Sequence, residues 1–284
     1  MLEKDYKIEI GKVSRVRSIA VAPVYARDMF KEKVILLDSA MQNEKFSIKE
    51  PDSIENLIIH NDLNDKVFVP SGMVIEGISQ NRYSIYPCLV MPHTANLELP
   101  VNCAQEYQGF RSGRFDGATT IMAPSIRDVN QHEAWNSIYN TTRILKRMDP
   151  TRSYVFAEKN ANINEYLEAI GNPKVDQIGL VAGIKSGDRT FYYTDFFGNN
   201  SILREVHSKL AKSFGIVGKV HEGNAETITT DGLVAFLRKI EVVNGHKKEH
   251  VGGGELFVLN NPVSGSALVY ENDPVQISMR QDHE

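Results

Sequence analysis

Ile178-Gly179-Leu180-Val181-Ala182-Gly183-Ile184, then Lys185-Ser186-Gly187-Asp188, then Arg189-Thr190-Phe191-Tyr192-Tyr193-Thr194-Asp195-Phe196-Phe197, is the stretch that decides the fold class. Two β-rich runs flank a short polar segment holding a glycine, which is the pattern of an antiparallel hairpin. A parallel pair would need a crossover of a dozen or more residues between the runs, and there is no room for one. Working outward, Ser201 caps an expected helix with Leu203, Val206, Leu210 and Phe214 on one face. Another helix is expected over 230–240, capped by Thr230 or Asp231. The chain then reads as antiparallel strands over 255–260, 266–271 and 275–279, separated by Pro262 and Asp273-Pro274. Toward the N-terminus, a helix over 161–170 stops at Gly171-Asn172-Pro173. A longer one over 126–148 starts at the capping-box pattern Ser125-Ile126-Arg127-Asp128 and ends at Asp149-Pro150.

Before residue 125 the texture is different. Residues 6–37 and 57–103 are rich in alternating or β-branched apolar residues. Leu97, Leu99, Val101 and Cys103 alternate and share one face of a strand. Pro87 and Pro92 restrict the strand between them to an edge or a bulge. The Gly/Ser/Arg-rich residues 108–124 read as a long loop. The expectation is an α+β fold: a β-rich antiparallel N-terminal half (1–124) packed with a mixed helix/hairpin half (125–284). No flexible linker is visible, so 1–284 is read as a single compact domain.

The composition narrows the classes without naming a chemistry. Of 284 residues, 32 are Lys or Arg and 36 are Asp or Glu, a net charge of −4. A protein that coats duplex nucleic acid would carry a basic excess. Two cysteines cannot make a disulfide scaffold. The charged start, Met1-Leu2-Glu3-Lys4-Asp5-Tyr6-Lys7, has no apolar h-region, and the longest apolar runs are about a third of a membrane span. The expected location is cytoplasmic, with no membrane partner.

Several motifs match chemistry only in letters. His246-Lys247-Lys248-Glu249-His250 fits the inverted zinc-peptidase pattern H-x-x-E-H, which works only on a helix. Asn244-Gly245 and Gly252-Gly253-Gly254 leave no room for one, so the segment reads as a polar surface loop without metal. The glycine run lacks the Lys-Ser/Thr of a phosphate loop and suits a tight turn or close backbone contact. Asp195-Phe196-Phe197-Gly198 stands without the other kinase elements. No metal or other cofactor is expected.

One segment carries more. Glu76-Gly77-Ile78-Ser79-Gln80-Asn81-Arg82 is polar and donor-rich between two β runs. Gly77 permits an unusual backbone angle, and Arg82 can grip a carboxylate or phosphate with two parallel bonds. Two readings stand side by side: an anion or nucleotide contact, or a structural network with Arg82 paired to Glu76. Cys103 is either a buried small hydrophobe or a thiolate nucleophile, for which His93, Arg82 or Arg114 could supply the base or cation a thiolate needs.

At these residues the sequence resembles the ARPP-1 domain family, whose name marks association with ADP-ribosylglycohydrolase and rhodanese-phosphatase proteins. The likeness runs through Glu76-Gly77-x-x-Gln80-Asn81-Arg82, Val90-x-Pro92 and Leu99-Pro100-Val101-Asn102-Cys103. It continues through Gly113-Arg114-Phe115, Gln131-x-x-x-Trp135 and Gly265-Ser266-Ala267-Leu268-Val269. The chain departs from the family pattern where Gln105 and Phe115 replace a Glu and a Trp, and where Gln276 stands in place of a His. The resemblance implies a setting in ADP-ribose, NAD or RNA-repair metabolism.

Three functional readings follow. The first is an accessory protein that binds a phosphate-bearing nucleotide, such as ADP-ribose or an RNA end, through Gln80, Asn81, Arg82 and Arg114. The second is a hydrolase or transferase on such a ligand, with Glu76, Glu106 or Cys103 as acid, base or nucleophile. The third is an assembly protein that forms homo-oligomers through strand edges.

Overall fold

The computed structural model describes residues 7–51, 53–77, 80–107, 115, 117–127, 129–146 and 150–281. The fold is mixed, with helices and largely antiparallel sheets, as an α+β class requires, and Val34–Leu36 departs from the expected antiparallel pattern by pairing in parallel with Lys66–Val69. The chain forms two compact units that interleave in sequence: residues 1–32, 163–249 and 254–284 make the first, and 33–162 with 250–253 the second. The change of texture near residue 125 coincides with none of these boundaries.

The first unit is built on a nine-stranded sheet. Its order is Glu9–Ile10, Ile19–Tyr25, Gln177–Ser186, Arg189–Phe197, Asp273–Gln281, Ser264–Tyr270, Glu255–Asn260 and Asn244–Lys248, with Ser14–Val16 also pairing to Ile19–Tyr25. The hairpin of the opening stretch lies in its middle. Ser186 pairs with Arg189 across a two-residue turn in which Gly187 takes φ +57°, a left-handed angle a glycine reaches without a Cβ clash. Ile178, Val181, Phe196 and Ile277 pack with Leu233 and Phe236 of the helix Thr230–Arg238 in one core cluster. Leu203, Val206, Leu210 and Phe214 of the helix Asn200–Val220 are each fully buried, as their spacing predicts.

The ends of these elements correct the sequence reading. Asn199, not Ser201, caps the long helix: its Oδ1 accepts from the Ile202 amide at 2.9 Å, and the Ser201 hydroxyl donates to the same oxygen. Thr229, one residue before the expected caps, accepts from the Gly232 amide at 3.0 Å. The helix expected over 161–170 is Asn164–Ile170, ending at Gly171. The first three residues of the H-x-x-E-H segment, His246 to Lys248, lie in an edge strand rather than a loop. Asn244–Lys248 pairs with Glu255–Asn260, and all five of its residues are exposed. Polar on both faces, it carries no alternation from which a strand could be read.

The second unit holds two smaller sheets among the described residues. One has the order Cys88–Val90, Lys66–Val69, Val34–Leu36, which puts the proline-flanked strand at an edge. The other has the order Gly117–Ile121, Met73–Glu76, Arg82–Ser84, Thr94–Cys103, Asn56–Asn61, Phe46–Lys49. Gly117–Ile121 thus replaces part of the loop expected over 108–124, because its backbone pairs with Met73–Glu76. Leu97, Leu99, Val101 and Cys103 are all buried on the face their alternation predicts. The single helix expected over 126–148 is instead a short turn, Pro124–Arg127, and a helix, Gln131–Ile144. The restart has a local cause. Asn130 and Glu133 form a capping box, with the Glu133 amide donating to Asn130 Oδ1 at 3.0 Å and the Asn130 amide to Glu133 Oε2 at 3.3 Å. A further helix, Tyr154–Asn160, follows. Among the described residues no helix is long and apolar enough to cross a membrane.

Candidate functional site

Arg82 opens a short strand whose register sets Arg82 opposite Cys103. Its side chain is 1% exposed, so its charge must be met inside the protein. Nη2 donates to Glu50 Oε1 at 3.2 Å, and Nη1 donates to Gln80 Oε1 at 2.8 Å and to Cys103 Sγ at 3.2 Å. Arg82 therefore pairs with Glu50, not with Glu76. Its Nε is buried without a hydrogen-bond partner. The Cys103 backbone is held from both sides: its amide donates to Gln131 Oε1 at 2.6 Å, and Gln131 Nε2 donates to its carbonyl at 3.4 Å. Burial pushes the Cys103 thiol up, the Arg82 guanidinium pulls it partly back, and the Glu50 carboxylate adds to the rise. The thiol is thus protonated at neutral pH and donates to Gln80 Oε1 at 3.4 Å.

The remaining expected residues surround this network. Asn81 Oδ1 accepts from the Gly77 amide at 3.3 Å, and the Asn81 carbonyl accepts from the Ala104 amide at 2.8 Å. Gly77 is required for space rather than for an unusual angle. A Cβ there would stand 2.7 Å from Phe115 Cε1 and 2.8 Å from the Gln80 carbonyl oxygen. Glu76 Oε1 accepts from Lys159 Nζ at 2.8 Å. Gln80 Nε2 donates to the Glu106 carbonyl at 3.3 Å, which ties the buried cluster to the next residues of the chain. Arg114 lies outside the described residues.

Glu106 leads to a second, more open arrangement. Its Oε2 accepts from Arg152 Nη1 at 2.6 Å, and this bond raises the Arg152 pKa further. The guanidinium carbon lies 5.2 Å from the Tyr107 ring centre and 4.8 Å from that of Tyr139, so two aromatic rings hold the cation. Trp135, one turn before Tyr139, donates from Nε1 to the Gln105 carbonyl at 3.2 Å. Arg152 is 33% exposed, and among the described residues its Nε and Nη2 have no protein acceptor. A planar fork fixed on one side and open on the other can receive a carboxylate or phosphate.

The sequence matches the ARG and Rhodanese-Phosphatase-superfamily-associated Protein domain, ARPP-1, over residues 7–280, which include the Gln80-Asn81-Arg82 segment and Cys103. The chain belongs to the ARPP-1 family. No curated protein and no solved structure matches it. The family name records an association with ADP-ribosylglycohydrolase and rhodanese-phosphatase superfamilies, which is a nucleotide-related context. Of the candidate residues in this ARPP-1 domain, the structure brings Gln80, Arg82 and Cys103 into one buried cluster and sets Glu106 beside it. Glu76 stands apart in its own ion pair.

Sequence reasoning missed Glu50, Tyr107, Tyr139 and Arg152. Glu50 lies 32 residues from Arg82, and Arg152 lies 46 from Glu106, so no local spacing links them. Arg152 lies two residues past Asp149-Pro150 and takes φ +50°, an angle that the local sequence does not announce.

Proposed function

We propose that this ARPP-1 protein is a binding protein for a phosphate-bearing nucleotide, with the Gln80–Arg82–Cys103 cluster as its framework and Arg152 as its phosphate contact. One observation carries the reading: Arg152 is oriented by Glu106 and two tyrosine rings while two of its donor positions meet no acceptor among the described residues. An arginine fixed in this way gives up little further freedom on binding, which favours affinity. The nucleotide-related context of the family agrees with it. Arg82, by contrast, has its donors directed at Glu50, Gln80 and Cys103, which suits a structural part.

Binding is better supported than turnover. A nucleophile at Cys103 would need a thiolate, and burial opposes that. Glu76 and Glu106 are each engaged by a cation. The test is a thermal-shift panel on the full chain with ADP-ribose, NAD, a 5′-phosphorylated RNA oligonucleotide and inorganic phosphate. A ligand at 100 times its Kd stabilises by about 2.7 kcal/mol. The expected result is a shift with at least one nucleotide that disappears in Arg152→Gln. No shift with any of the four, or an undiminished shift in Arg152→Gln, overturns the proposal.

A further inference from the structure

We infer that the Tyr107 ring is a stacking platform for an unpaired nucleobase, so that the ligand is a base carrying a 5′-phosphate rather than a phosphate or a sugar phosphate alone. This rests on the assignment of Arg152 as the phosphate contact. Tyr107 is 47% exposed. A single exposed ring is ordinary at a protein surface, and this one gains meaning from the cation beside it. Its position is nonetheless fixed. The Tyr107 amide donates to the Thr151 carbonyl at 3.2 Å, its own carbonyl accepts from Gln105 Nε2 at 2.9 Å, and Arg152 stands 5.2 Å from the ring centre on one side.

A ring held on one side by a cation, and exposed over about half its surface, offers a π-face to a planar ligand. The cation that holds the ring is also the one with open donors. Base and phosphate contacts are therefore adjacent, which is the juxtaposition a nucleotide presents. Arg143 extends the row Trp135, Tyr139, Arg143 at four-residue spacing on the helix Gln131–Ile144, and it is exposed. This adds positive charge on the aromatic side of the helix, in keeping with an anionic ligand. Stacking accepts every base because each has a π-face, so weak selectivity among bases accompanies strong discrimination against a ligand that lacks one.

Titration calorimetry on the full chain separates the contacts, with AMP and ribose 5-phosphate as probes. The intrinsic fluorescence of Trp135, the only tryptophan, gives a second readout beside the platform. The expected result is AMP binding about 10-fold or more tighter than ribose 5-phosphate, as the stacking of one base implies. Tyr107→Ala should remove that ratio, so that AMP binds no more tightly than ribose 5-phosphate, and an unfolding midpoint matching the wild type shows that the variant is folded. Tyr107→Phe should keep the ratio. Equal binding of the two probes by the wild type overturns the platform and leaves the phosphate contact standing. Binding of neither removes the phosphate contact and the platform together. An AMP preference that survives in Tyr107→Ala, or a loss of both probes in a folded variant, also overturns the platform and assigns the ring to holding Arg152. A 5′-phosphorylated single-stranded RNA tetranucleotide distinguishes the source of the base. An affinity about 10-fold or more above that of AMP assigns an RNA end, an equal one assigns a free nucleotide, and both uphold the platform.

Discussion

Arg82 and Arg152 each hold one glutamate, Glu50 at 3.2 Å and Glu106 at 2.6 Å, yet Arg82 is 1% exposed and Arg152 is 33% exposed. The two pairs use the same chemical groups and sit in the same unit. Burial separates their consequences. Inside the protein, a charge whose partner is removed is stranded in a medium that solvates it poorly, so the pair fixes the structure around it. Near the surface, water takes over the role of a lost partner, so the pair contributes little to stability and its free donors are available to a ligand. The shorter ion pair is thus the less important one for stability, and distance alone does not rank salt bridges.

The largest expected effect breaks the buried pair. Glu50→Ala should lower unfolding stability by about 3–5 kcal/mol, because it leaves the Arg82 charge uncompensated. Urea denaturation measures this, and a loss below about 1 kcal/mol would mean that Arg82 is not sequestered. Next comes Gly77→Ala, which places a methyl group against Phe115 and the Gln80 carbonyl. A cost of about 1–3 kcal/mol is expected from the overpacking. A neutral outcome would show that this loop gives way and that the network is less rigid than its bonds suggest.

The third test uses the thiols. Burial pushes Cys88 up to about 12 and raises Cys103 as well, so both are protonated in the native state. Only the thiolate reacts, and it accumulates as pH rises toward the folded-state pKa. At pH 8, labelling by a thiol reagent should therefore be about tenfold or more slower in the native protein than in the unfolded chain. Its rate should climb with pH beyond the range where an ordinary thiol has levelled off. Fast labelling of Cys103 at pH 8 would show that the cluster around Arg82 is open to solvent. The smallest effect on stability is expected for Arg152→Gln, whose unfolding midpoint should match the wild type while nucleotide binding is lost. A large fall in midpoint would make the open pair structural too and erase the contrast.

How far the sequence discloses this contrast depends on the range of the interactions. The strand alternation through Leu97, Leu99, Val101 and Cys103 and the hairpin at Gly187 are local patterns, and both are found where expected. The polar segment Gln80-Asn81-Arg82 marks a special place for the same reason, since donor-rich residues between β runs are visible in one window. Which carboxylate Arg82 meets is a tertiary matter. Glu76 is nearer in sequence, but it bonds Lys159, and the strand register carries Arg82 to Glu50. The edge strand Asn244–Lys248 was hidden because a polar strand exposed on both faces has no apolar period to display. The broken helix near residue 130 was misjudged because two capping patterns compete within a few residues, and the one at Asn130 and Glu133 wins.

The position of Asp273–Gln281 in the nine-stranded sheet has a consequence for biosynthesis. This strand lies between Arg189–Phe197 and Ser264–Tyr270, although the ribosome makes it last among the described strands. Until it emerges, the strands before it in the order and those after it have nothing to join them. Residues 33–162, which contribute almost all of the second unit, are by then long complete. During translation the inserted unit has a head start, and the sheet that surrounds it in sequence closes only at the end. Nascent chains stalled before residue 273 would carry two unfinished sheet fragments with open edges, the state in which a β-protein most needs a chaperone.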